Sequence, residues 1–355
     1  YTGYFIFKLL YGKMSESIKC NNNDKITVNE VVLDKNIKYK IYKVRSSRLY
    51  TDTIHDTAII LDNKIVEGPS FQIRNNNYVA INNNIVFDKG TPYLKKNLSG
   101  NVLSLLSGGG ANINYWHWLF DVLPRIKLFL DKNKIDSINY FLVPNTEEKF
   151  QLETLSALKI EKNKIISSQL FRHITADSIT STDHPYVIDG DSTIGIQNIP
   201  SWIFRWLNFS FTKNISLEQS NLPKKFYIDR SDSKQNTKEL RKIINEDEVK
   251  EVFLKNNYKI LRLSDFSFID QVKLFYNAIA VAGLHGGGFA NLVFSKQNTK
   301  ILELRSSSAG AMILDVAKKR ELNYESISVN PTKYDFNNQN GHILIPIDEL
   351  KKKLL

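Results

Sequence analysis

The chain is almost without cysteine: Cys20 is the single thiol among 355 residues. One thiol excludes an internal disulfide and every zinc site built on cysteines, so core packing has to hold the fold together. Cys20 lies among lysines and asparagines with no base beside it, a setting typical of an inert thiol rather than a nucleophile. This scarcity favours a reducing compartment, and we expect a cytoplasmic protein.

Long apolar runs are also absent from the sequence. No stretch approaches the ~18 uninterrupted apolar residues of a membrane span. Residues 1–10 are apolar, but they are interrupted by Lys8 and lack a small-residue cleavage site. We therefore expect neither a signal peptide nor a spanning helix. Peripheral association with the inner face of a membrane remains an alternative to a purely cytoplasmic location.

Basic residues outnumber acidic ones by 48 to 37, so the formal net charge is +11. Such a charge suits an anionic partner: a nucleotide, a phosphate-rich polymer, a nucleic acid or an anionic membrane. The lysines are spread through Lys/Asn-rich stretches such as 132–134 and 162–164, and no nucleic-acid-binding signature accompanies them. We do not expect a nucleic-acid partner, and nucleic-acid binding is kept only as an alternative function.

The length of 355 residues exceeds what one hydrophobic core usually supports, and a hydrophobic fraction of 42% excludes wholesale disorder. Residues 1–100 alternate short apolar runs with Asn-rich turns, which predicts an antiparallel, β-rich start. From residue 101 onward strands alternate with helices, which predicts parallel α/β sheets. The predicted domains are a β-rich portion at 1–100 packed on a first lobe at 101–215, a second lobe at 216–330, and a tail at 331–355 that returns to the first lobe.

The individual elements follow from the same patterns. In the first half we predict strands at 25–28, 58–61, 78–81, 85–87, 102–106, 140–143 and 164–166, and helices at 115–130, 148–158 and 200–209. A polar segment at 212–223 is the expected linker. In the second half we predict strands at 225–229, 258–261, 279–282 and 300–304, and helices at 237–244, 246–256, 267–277 and from 289 onward.

A glycine-rich turn, GLHGGGFAN at 283–291, follows an apolar strand and opens a predicted helix. Glycines let a ligand approach the backbone, and the free N–H groups at a helix start favour an anion such as a diphosphate. The turn has no Walker-type Gly-Lys-Ser/Thr, and Asn291 stands where the dinucleotide fingerprint has its third glycine. One strand later, Glu303 is suited to accept hydrogen bonds from a ribose diol. The alternatives are tight packing for the glycines and a surface position for Glu303.

Residues 114–125 place His117 and Asp121 four positions apart, on one face of a predicted helix that Pro124 interrupts. A carboxylate one turn from an imidazole fixes its tautomer and raises its proton affinity, as a general base requires. The alternative is a core histidine among aromatic residues. Trp116 and Trp118 either line a cleft, where they stack on a sugar, or pack in the core.

Taken together, six segments make the chain resemble glycosyltransferase family 61, whose members build plant, animal and microbial glycans. The segments are YWHWLFD at 115–121 with LPR at 123–125, KFYIDR at 225–230, RKIINE at 241–246, Phe268 with Gln271, GLHGGGFAN at 283–291 with Phe294, and ILEL at 301–304. They follow the family's order between residues 100 and 305. Two departures are Asp229, where the family has serine, and Gly287, where it has alanine.

The resemblance implies an α/β fold of GT-B type, with two Rossmann-like domains facing across a cleft and, here, a β-rich N-terminal portion. It implies inverting transfer of a hexosyl or pentosyl group from a nucleotide sugar, most often UDP-linked, to a hydroxyl of a glycan in capsule or surface-polysaccharide synthesis. The positive charge favours an acidic or phosphate-bearing acceptor. A non-catalytic glycan-binding protein is the alternative.

We expect no cofactor and no metal ion. Asp189 to Asp191 and Asp229 to Asp232 are the nearest approaches to an Asp-x-Asp motif, and both have the composition of turns. Protein charge would then replace the divalent cation that many nucleotide-sugar enzymes use.

The resemblance also assigns roles to residues. The base is His117 or Asp121, with neither preferred, and Glu153, Asp177 and Asp183 are alternative bases. The predicted donor site, which holds the nucleotide sugar or stabilises its departing diphosphate, comprises Arg230, Asn245, Glu246, Gln271, His285, Gly286, Gly287, Gly288, Asn291 and Glu303. The predicted acceptor site comprises Trp116, Trp118 and Arg125.

Overall fold

The computed structural model of the chain describes residues 2–14, 16–34, 36–74, 77–78, 81–107, 113–213, 221–233, 241–332 and 341–354. The chain divides into two compact units, Tyr1–Ile203 and Phe204–Leu355, and each is built on its own β-sheet. The division falls inside a helix, Ser201–Thr212, rather than in the expected linker, most of which lies outside the described residues. The fold is mixed α/β.

The first unit contains a mixed sheet, to which the described residues contribute twelve strands. They are β1 Ser17–Ile18, β2 Ile26–Leu33, β3 Ile37–Thr51, β4 Asp56–Leu61, β5 Lys64–Val66, β6 Phe71–Arg74, β7 Asn77–Tyr78, β8 Lys96–Asn97, β9 Asn101–Ser104, β10 Tyr140–Val143, β11 Ile165–Ser167 and β12 His173–Thr182. The main order is β1-β5-β4-β3-β12-β9-β10-β11, with β2 beside β3.

Strand β12 joins two halves of this sheet that run in different senses. It pairs antiparallel with β3 along nearly its whole length and parallel with β9. On the β3 side, β2 and β4 are also antiparallel, as expected for residues 1–100, whereas β9, β10 and β11 are parallel. The N-terminal portion is therefore not a separate layer packed on the first lobe, as the patterns predict, because β12 makes it part of the same sheet.

The helices of the first unit differ from prediction at two places. They are α1 Thr2–Tyr11, α2 Ile85–Lys89, α3 Tyr115–His117, α4 Pro124–Leu130, α5 Lys149–Ala157, α6 Ser192–Gly195 and α7 Ser201–Thr212, which continues into the second unit. The strand predicted at 85–87 is helix α2. The side chain of Asn84 caps it by accepting the N–H of Val86, and Gly90, at φ 66°, ends it. The helix predicted at 115–130 is interrupted by a π-turn, described below.

The second unit is built on a parallel sheet. Its strands are β13 Lys225–Ile228, β14 Lys259–Leu261, β15 Ala280–Leu284, β16 Lys300–Ser306 and β17 Asn323–Val329. The spatial order is β14-β13-β15-β16-β17, and every pair is parallel. This is the doubly wound order 2-1-3-4-5, in which the direction of winding reverses between the first and third strands. Ligands of such sheets bind at that reversal, beyond the carboxyl ends of β13 and β15.

The helices of this unit are α8 Glu246–Lys255, α9 Phe268–Asn277, α10 Met312–Lys319 and α11 Ile347–Leu354, together with a 3-10 helix at Gly287–Phe294. Of the helix predicted at 237–244, residues 237–240 lie outside the described residues and 241–244 are not helical. The tail does not join the first unit as expected. Ile343, Ile345 and Leu350 are buried in the core of the second unit, because removing their apolar side chains from water stabilises the fold. No helix in the described ranges is long and apolar enough to cross a membrane.

Candidate active site

A π-turn at Trp118–Val122 positions His117 and Asp121. The N–H of Leu123 bonds to the carbonyl at the start of the turn, five residues earlier, at 3.1 Å. Pro124 accounts for the widening, because it has no N–H and its ring crowds the carbonyl four residues before it. The segment therefore stays helical past the proline, and the predicted pair shares one face.

Asp121 is buried and lies between two histidines. Its Oδ2 is 2.9 Å from Nδ1 of His117 and 3.7 Å from Nε2 of His184. Nδ1 of His184 accepts the backbone N–H groups of Tyr186 and Val187 at 3.2 and 3.0 Å, so the proton of this ring is on Nε2, towards the carboxylate. Burial acts to raise the pKa of Asp121, but the histidines outweigh it and hold the pKa well below its usual range. Asp121 is therefore an anion at neutral pH.

His117 is the member of this cluster that solvent reaches. Its side chain is 26% exposed, whereas those of Asp121 and His184 are buried. Burial acts to lower the pKa of His117, but the charge and hydrogen bond of Asp121 raise it above the ordinary 6.5. Burial lowers the pKa of His184. In its neutral form His117 donates Nδ1–H to Asp121 and presents Nε2 as an acceptor, which favours His117 over Asp121 as the group that removes a proton.

A pocket of about 430 Å³ opens beside His184 in the same unit. Its wall includes Lys38 and Lys40, which project from the same face of β3, and Asp183. The Asp183 carboxylate is already engaged, because Oδ2 accepts the N–H of Lys40 at 2.7 Å and Oδ1 accepts the hydroxyl of Tyr42 at 2.9 Å. The pocket has the volume of a small-ligand site and two lysines to meet a negative group.

The three residues predicted to bind the acceptor belong instead to the core of the first unit. Trp118 is fully buried, and its Nε1 donates to the hydroxyl of Thr154 at 2.8 Å. Trp116 is also buried. Arg125 is fully buried and donates from Nη1 to the carbonyl of Thr182 at 2.7 Å, so it ties α4 to β12. For the two tryptophans the burial favours the alternative of core packing, because aromatic spacing alone does not distinguish a cleft wall from a core.

In the second unit, two arginines converge at the winding reversal between β13 and β15. Nη1 of Arg230, just beyond β13, donates to the carbonyl of His285, just beyond β15, at 2.7 Å. Nη1 of Arg241 donates to the same carbonyl at 3.3 Å. Burial, together with the like charge of Arg230, lowers the pKa of Arg241 to about 10, and burial also lowers that of Arg230. Both remain cations at neutral pH, so positive charge is concentrated where this fold binds ligands.

The glycine turn fits this arginine closely. A Cβ added at Gly286 would lie 2.9 Å from Nη1 of Arg230, closer than real Cβ contacts, and 3.0 Å from its Cζ, at the edge of what they allow. The 3-10 helix Gly287–Phe294 begins at once, and the amides at its start have no intrahelical acceptor. Both features agree with the predicted anion site at residues 286–288.

His285 belongs to a buried chain of polar groups. Its Nδ1 bonds to Oε1 of Glu303, whose Oε2 accepts the hydroxyl of Tyr324. Glu303 is 0% exposed because β16 lies between β15 and β17, and both its oxygens are engaged. It therefore has no surface to offer a ribose, and the predicted ribose contact is corrected to a positioning role behind His285.

The electrostatic surroundings of His285 also change its expected role. Burial lowers its pKa, Glu303 opposes the shift, and Arg241 and Arg305 reinforce it. The ring is therefore neutral at neutral pH, with its proton on the nitrogen that faces the carboxylate. In the part of the chain that the structure describes, no hydrogen bond engages the other nitrogen, Nε2, which is an acceptor. A neutral hydrogen-bond acceptor suits a ligand hydroxyl rather than a departing diphosphate. The negative charge of a diphosphate would therefore be met by the two arginines and not by His285.

Three other predicted donor residues are committed to the fold. Asn245 exchanges two hydrogen bonds with the backbone of Ile345, at 2.9 and 3.0 Å, and so fastens the C-terminal segment. Gln271 donates to the carbonyl of Leu263 at 2.9 Å and accepts from the amide of Asn291 at 3.0 Å. Asn291 is fully buried. The side-chain amide of Asn245 satisfies the C-terminal segment, and those of Gln271 and Asn291 form hydrogen bonds near the glycine turn, which explains their presence without a ligand.

Glu246 keeps a partly exposed carboxylate beside the arginine region. It accepts the hydroxyl of Tyr227 at 3.2 Å, and Nζ of Lys250 lies 3.6 Å from it. The same lysine lies 3.1 Å from Asp229, the residue that departs from the family's serine. Lys250 thus balances the charge that this departure adds, and Glu246 remains a candidate for contact with the nucleotide sugar.

Sequence patterns missed several members of these clusters. His184 lies in a turn-rich stretch with no local signal, and Tyr324 joins the chain only through the pairing of β17 with β16. The carboxylates proposed as alternative bases are engaged elsewhere: Asp183 and Asp177 each accept a backbone N–H, and Glu153 pairs with a lysine one turn away on α5. Across the described ranges, no three His, Cys, Asp or Glu side chains are grouped closely enough to hold a metal ion.

Comparison with known proteins links both groups of residues, the one around Asp121 and the one around Arg230, to one family. The Glycosyltransferase 61 family model matches residues 115–302, more than half of the 355-residue chain. No curated protein matches the chain at a significant level. The matched region contains His117, Asp121, Arg230, Arg241 and His285, that is, both histidines whose Nδ1 faces a buried carboxylate and both arginines at the winding reversal. The chain belongs to glycosyltransferase family 61.

Proposed function

We propose that the protein is an inverting glycosyltransferase that transfers a hexosyl or pentosyl group from a nucleotide sugar, a UDP-sugar, to a hydroxyl of a glycan. The observation that carries the proposal is the pair of partly buried arginines, Arg230 and Arg241, at the winding reversal of a parallel sheet. Two guanidinium groups there suit the diphosphate of a nucleotide sugar. The GT-B arrangement of the two units remains a prediction of the family resemblance.

In the proposed reaction, Nε2 of neutral His117 takes the proton of the acceptor hydroxyl as that oxygen attacks the anomeric carbon. The bond from this carbon to the diphosphate breaks, and the anomeric configuration inverts. Asp121 stabilises the imidazolium that forms, and Arg230 stabilises the negative charge on the nucleoside diphosphate. His117 then returns its proton to solvent. Protein charge performs the role that a divalent cation has in other enzymes, so we propose a reaction without metal or cofactor.

The acceptor proposed for this site is an acidic or phosphate-bearing glycan, as in a capsule or other surface polysaccharide. The pocket beside His184 supports this proposal, because Lys38 and Lys40 line its wall. The pocket is also close to His117, since the Asp121 carboxylate contacts both His184 and His117. The overall charge of +11 acts in the same direction at longer range.

A panel of nucleotide sugars, tested by thermal shift and then by turnover, tests the proposal. The true donor should raise the melting temperature by mass action, and a free nucleoside diphosphate should do so in part. NMR of the product should show inverted anomeric configuration, and turnover should survive excess chelator. Donor binding without hydrolysis or transfer to any glycan would indicate a non-catalytic binding protein, and loss of turnover with chelator would contradict the metal-free mechanism.

A further inference from the structure

Helix α1 presents its most apolar side to solvent. Phe5, Ile6, Leu9 and Leu10 are 66%, 53%, 72% and 59% exposed. Positions i, i+1, i+4 and i+5 lie on one face of a helix, so these four side chains form one continuous stripe, called here the α1 apolar face. Single exposed apolar residues are common on proteins, but four large ones in one stripe mark an interaction surface.

The helix is fixed to the first unit through its last residue. The carbonyl of Tyr11 accepts Nη2 of buried Arg48 at 3.1 Å, and the Tyr11 ring packs edge-on against buried His173 at 4.8 Å between centroids. The N–H of Lys95 donates to the Tyr11 hydroxyl at 3.1 Å. These contacts of Tyr11 hold one side of α1 against the first unit. The α1 apolar face, on the other side, therefore points outward.

Basic side chains lie beside helix α1 on the side of Tyr11, where Nζ of Lys95 is 5.4 Å from the centroid of the Tyr11 ring. The segment 88–96 beside Tyr11 carries three lysines against one aspartate, and its Leu94 and Tyr93 are 76% and 40% exposed. Lys8 lies against Gly90 of this segment, since its Cγ is 3.6 Å from where a glycine Cβ would be. We call the lysines of the helix, of the residues just after it and of segment 88–96 the basic rim: Lys8, Lys13, Lys89, Lys95 and Lys96.

We propose that the α1 apolar face docks on the surface of an anionic lipid bilayer, with the basic rim at the level of the headgroups. An amphipathic helix lies in the interface with its apolar side chains below the headgroups, and each nearby lysine adds attraction to anionic lipid. Tyr93 is of the type that membrane interfaces prefer. The inference does not rest on the proposed function, because no catalytic group takes part.

A second copy of the chain fits this surface less well. Two copies related by a two-fold axis would bring the basic rims together, which costs electrostatic energy. A stripe of four side chains also falls short of the ~800 Å² per partner that stable protein interfaces bury. An anionic bilayer matches both the apolar and the charged part of the surface.

Vesicle flotation of the full chain tests the proposal, with vesicles of phosphatidylcholine alone and with about 30% phosphatidylglycerol. The wild-type protein should float with the anionic vesicles, bind the neutral ones at least about tenfold more weakly, and lose binding as salt is added. Ile6→Ser with Leu9→Ser should weaken partitioning about tenfold or more, since each side chain loses its apolar burial. The matched control, Ile194→Ser with Leu254→Ser, changes two side chains of similar exposure elsewhere and should bind like wild type.

Hydrogen exchange of the wild-type protein gives a second readout that needs no variant. Anionic vesicles should slow exchange in residues 5–10 and 89–96 and leave the second unit unchanged. Absence of vesicle binding by the wild type, equal loss in both double variants, or protection away from these segments would overturn the proposal. Sedimentation without lipid showing a dimer that Ile6→Ser with Leu9→Ser dissociates would assign the face to a second copy instead.

Discussion

Each unit contains a histidine whose Nδ1 faces a buried carboxylate, and the two histidines respond in opposite ways. In the first unit the pKa of His117 is raised above its ordinary value, because the charge and hydrogen bond of Asp121 outweigh burial. In the second unit the pKa of His285 is lowered, because burial outweighs the carboxylate of Glu303. The same pair of side chains therefore has two different chemical characters in one molecule.

The neighbours of each pair explain the difference. His117 is partly exposed, and the other ring on its carboxylate, His184, is neutral. His285 is almost completely buried, and Arg241 and Arg305 disfavour its protonation. A histidine that solvent reaches and that has an anion behind it can take up a proton, whereas one enclosed beside cations stays neutral and accepts hydrogen bonds. This contrast is the reason why the proposed reaction has its proton transfer in the first unit and its diphosphate binding in the second.

Removing the proton acceptor should have the largest effect. We expect His117→Ala to lower kcat about a thousandfold, within the range of general-base catalysis. The variant should still fold, with a lowered melting temperature, because buried Asp121 loses the hydrogen bond of His117. His55→Ala, at an exposed histidine of the same unit, is the control and should leave kcat unchanged. Near-normal turnover by folded His117→Ala would assign the base elsewhere and remove the distinction between the two histidines.

Removing an arginine from the winding reversal of the second unit should have the next largest effect. Arg230→Ala should lower kcat about a hundredfold, because charge developing on the diphosphate loses its partner. Arg262→Ala, at an arginine of the same unit that is about half exposed, should have no comparable effect. A result in which Arg230→Ala raises only the donor KM would show that the arginine binds the ground state and transition state equally.

The Asp121→Asn variant tests whether Asp121 raises the pKa of His117. The reaction needs the neutral imidazole, so kcat/KM should rise with pH through the pKa of His117, and the acid limb of the wild type should lie above 6.5. Loss of the anion lowers that pKa and moves the acid limb to lower pH, while the plateau falls about tenfold to a hundredfold. The pH profile measures both effects. An unmoved acid limb would mean that a group other than His117 titrates.

Gly286→Ala should disturb the arginine cluster by steric crowding alone. The new Cβ would lie within 3 Å of the Arg230 guanidinium, so the guanidinium must shift, and we expect about a tenfold loss of kcat/KM for the donor. Gly310→Ala is the control, since its nearest neighbour is the end of a Met312 side chain at 3.5 Å. Equal kinetics for the two variants would show that the position of Arg230 is not critical.

The sequence predicts strands β13 to β16 and helices α8 and α9 of the second unit closely, because buried parallel strands are short apolar runs between helices. It misses β17, α10 and α11. The doubly wound order of this unit, and so the meeting of Arg230 and His285, is not visible in those runs. In the first unit β12 was missed because its serines and threonines obscure the alternation, and α2 was misassigned because the capping role of Asn84 resembles an Asn-rich turn.

The candidate site shows a similar division between local and long-range information. The spacing of His117 and Asp121 predicts their contact, because helical neighbours four residues apart meet wherever the helix lies. Burial is a tertiary property, so local patterns could not decide between a cleft and the core for Trp118 and gave no sign that Arg125 and Glu303 are enclosed. His184 reaches Asp121 from a distant turn, and nothing near it in the sequence marks it.

The smallest effect should come from Tyr324→Phe, which removes one hydrogen bond from the far oxygen of Glu303. The carboxylate keeps His285 but loses its second donor, which costs about 1–3 kcal/mol of stability for a buried acceptor. With less of its charge taken up by Tyr324, Glu303 should hold the imidazole proton more strongly, so the pKa of His285 should rise towards its ordinary value.

Donor kcat/KM should fall about threefold or less, because Tyr324 acts through two other residues. NMR of the imidazole carbons follows the titration, and Tyr276→Phe in the same unit is the control. An unchanged His285 pKa would reduce Tyr324 to a packing residue and leave burial and the arginines as the cause of the contrast between the two histidines.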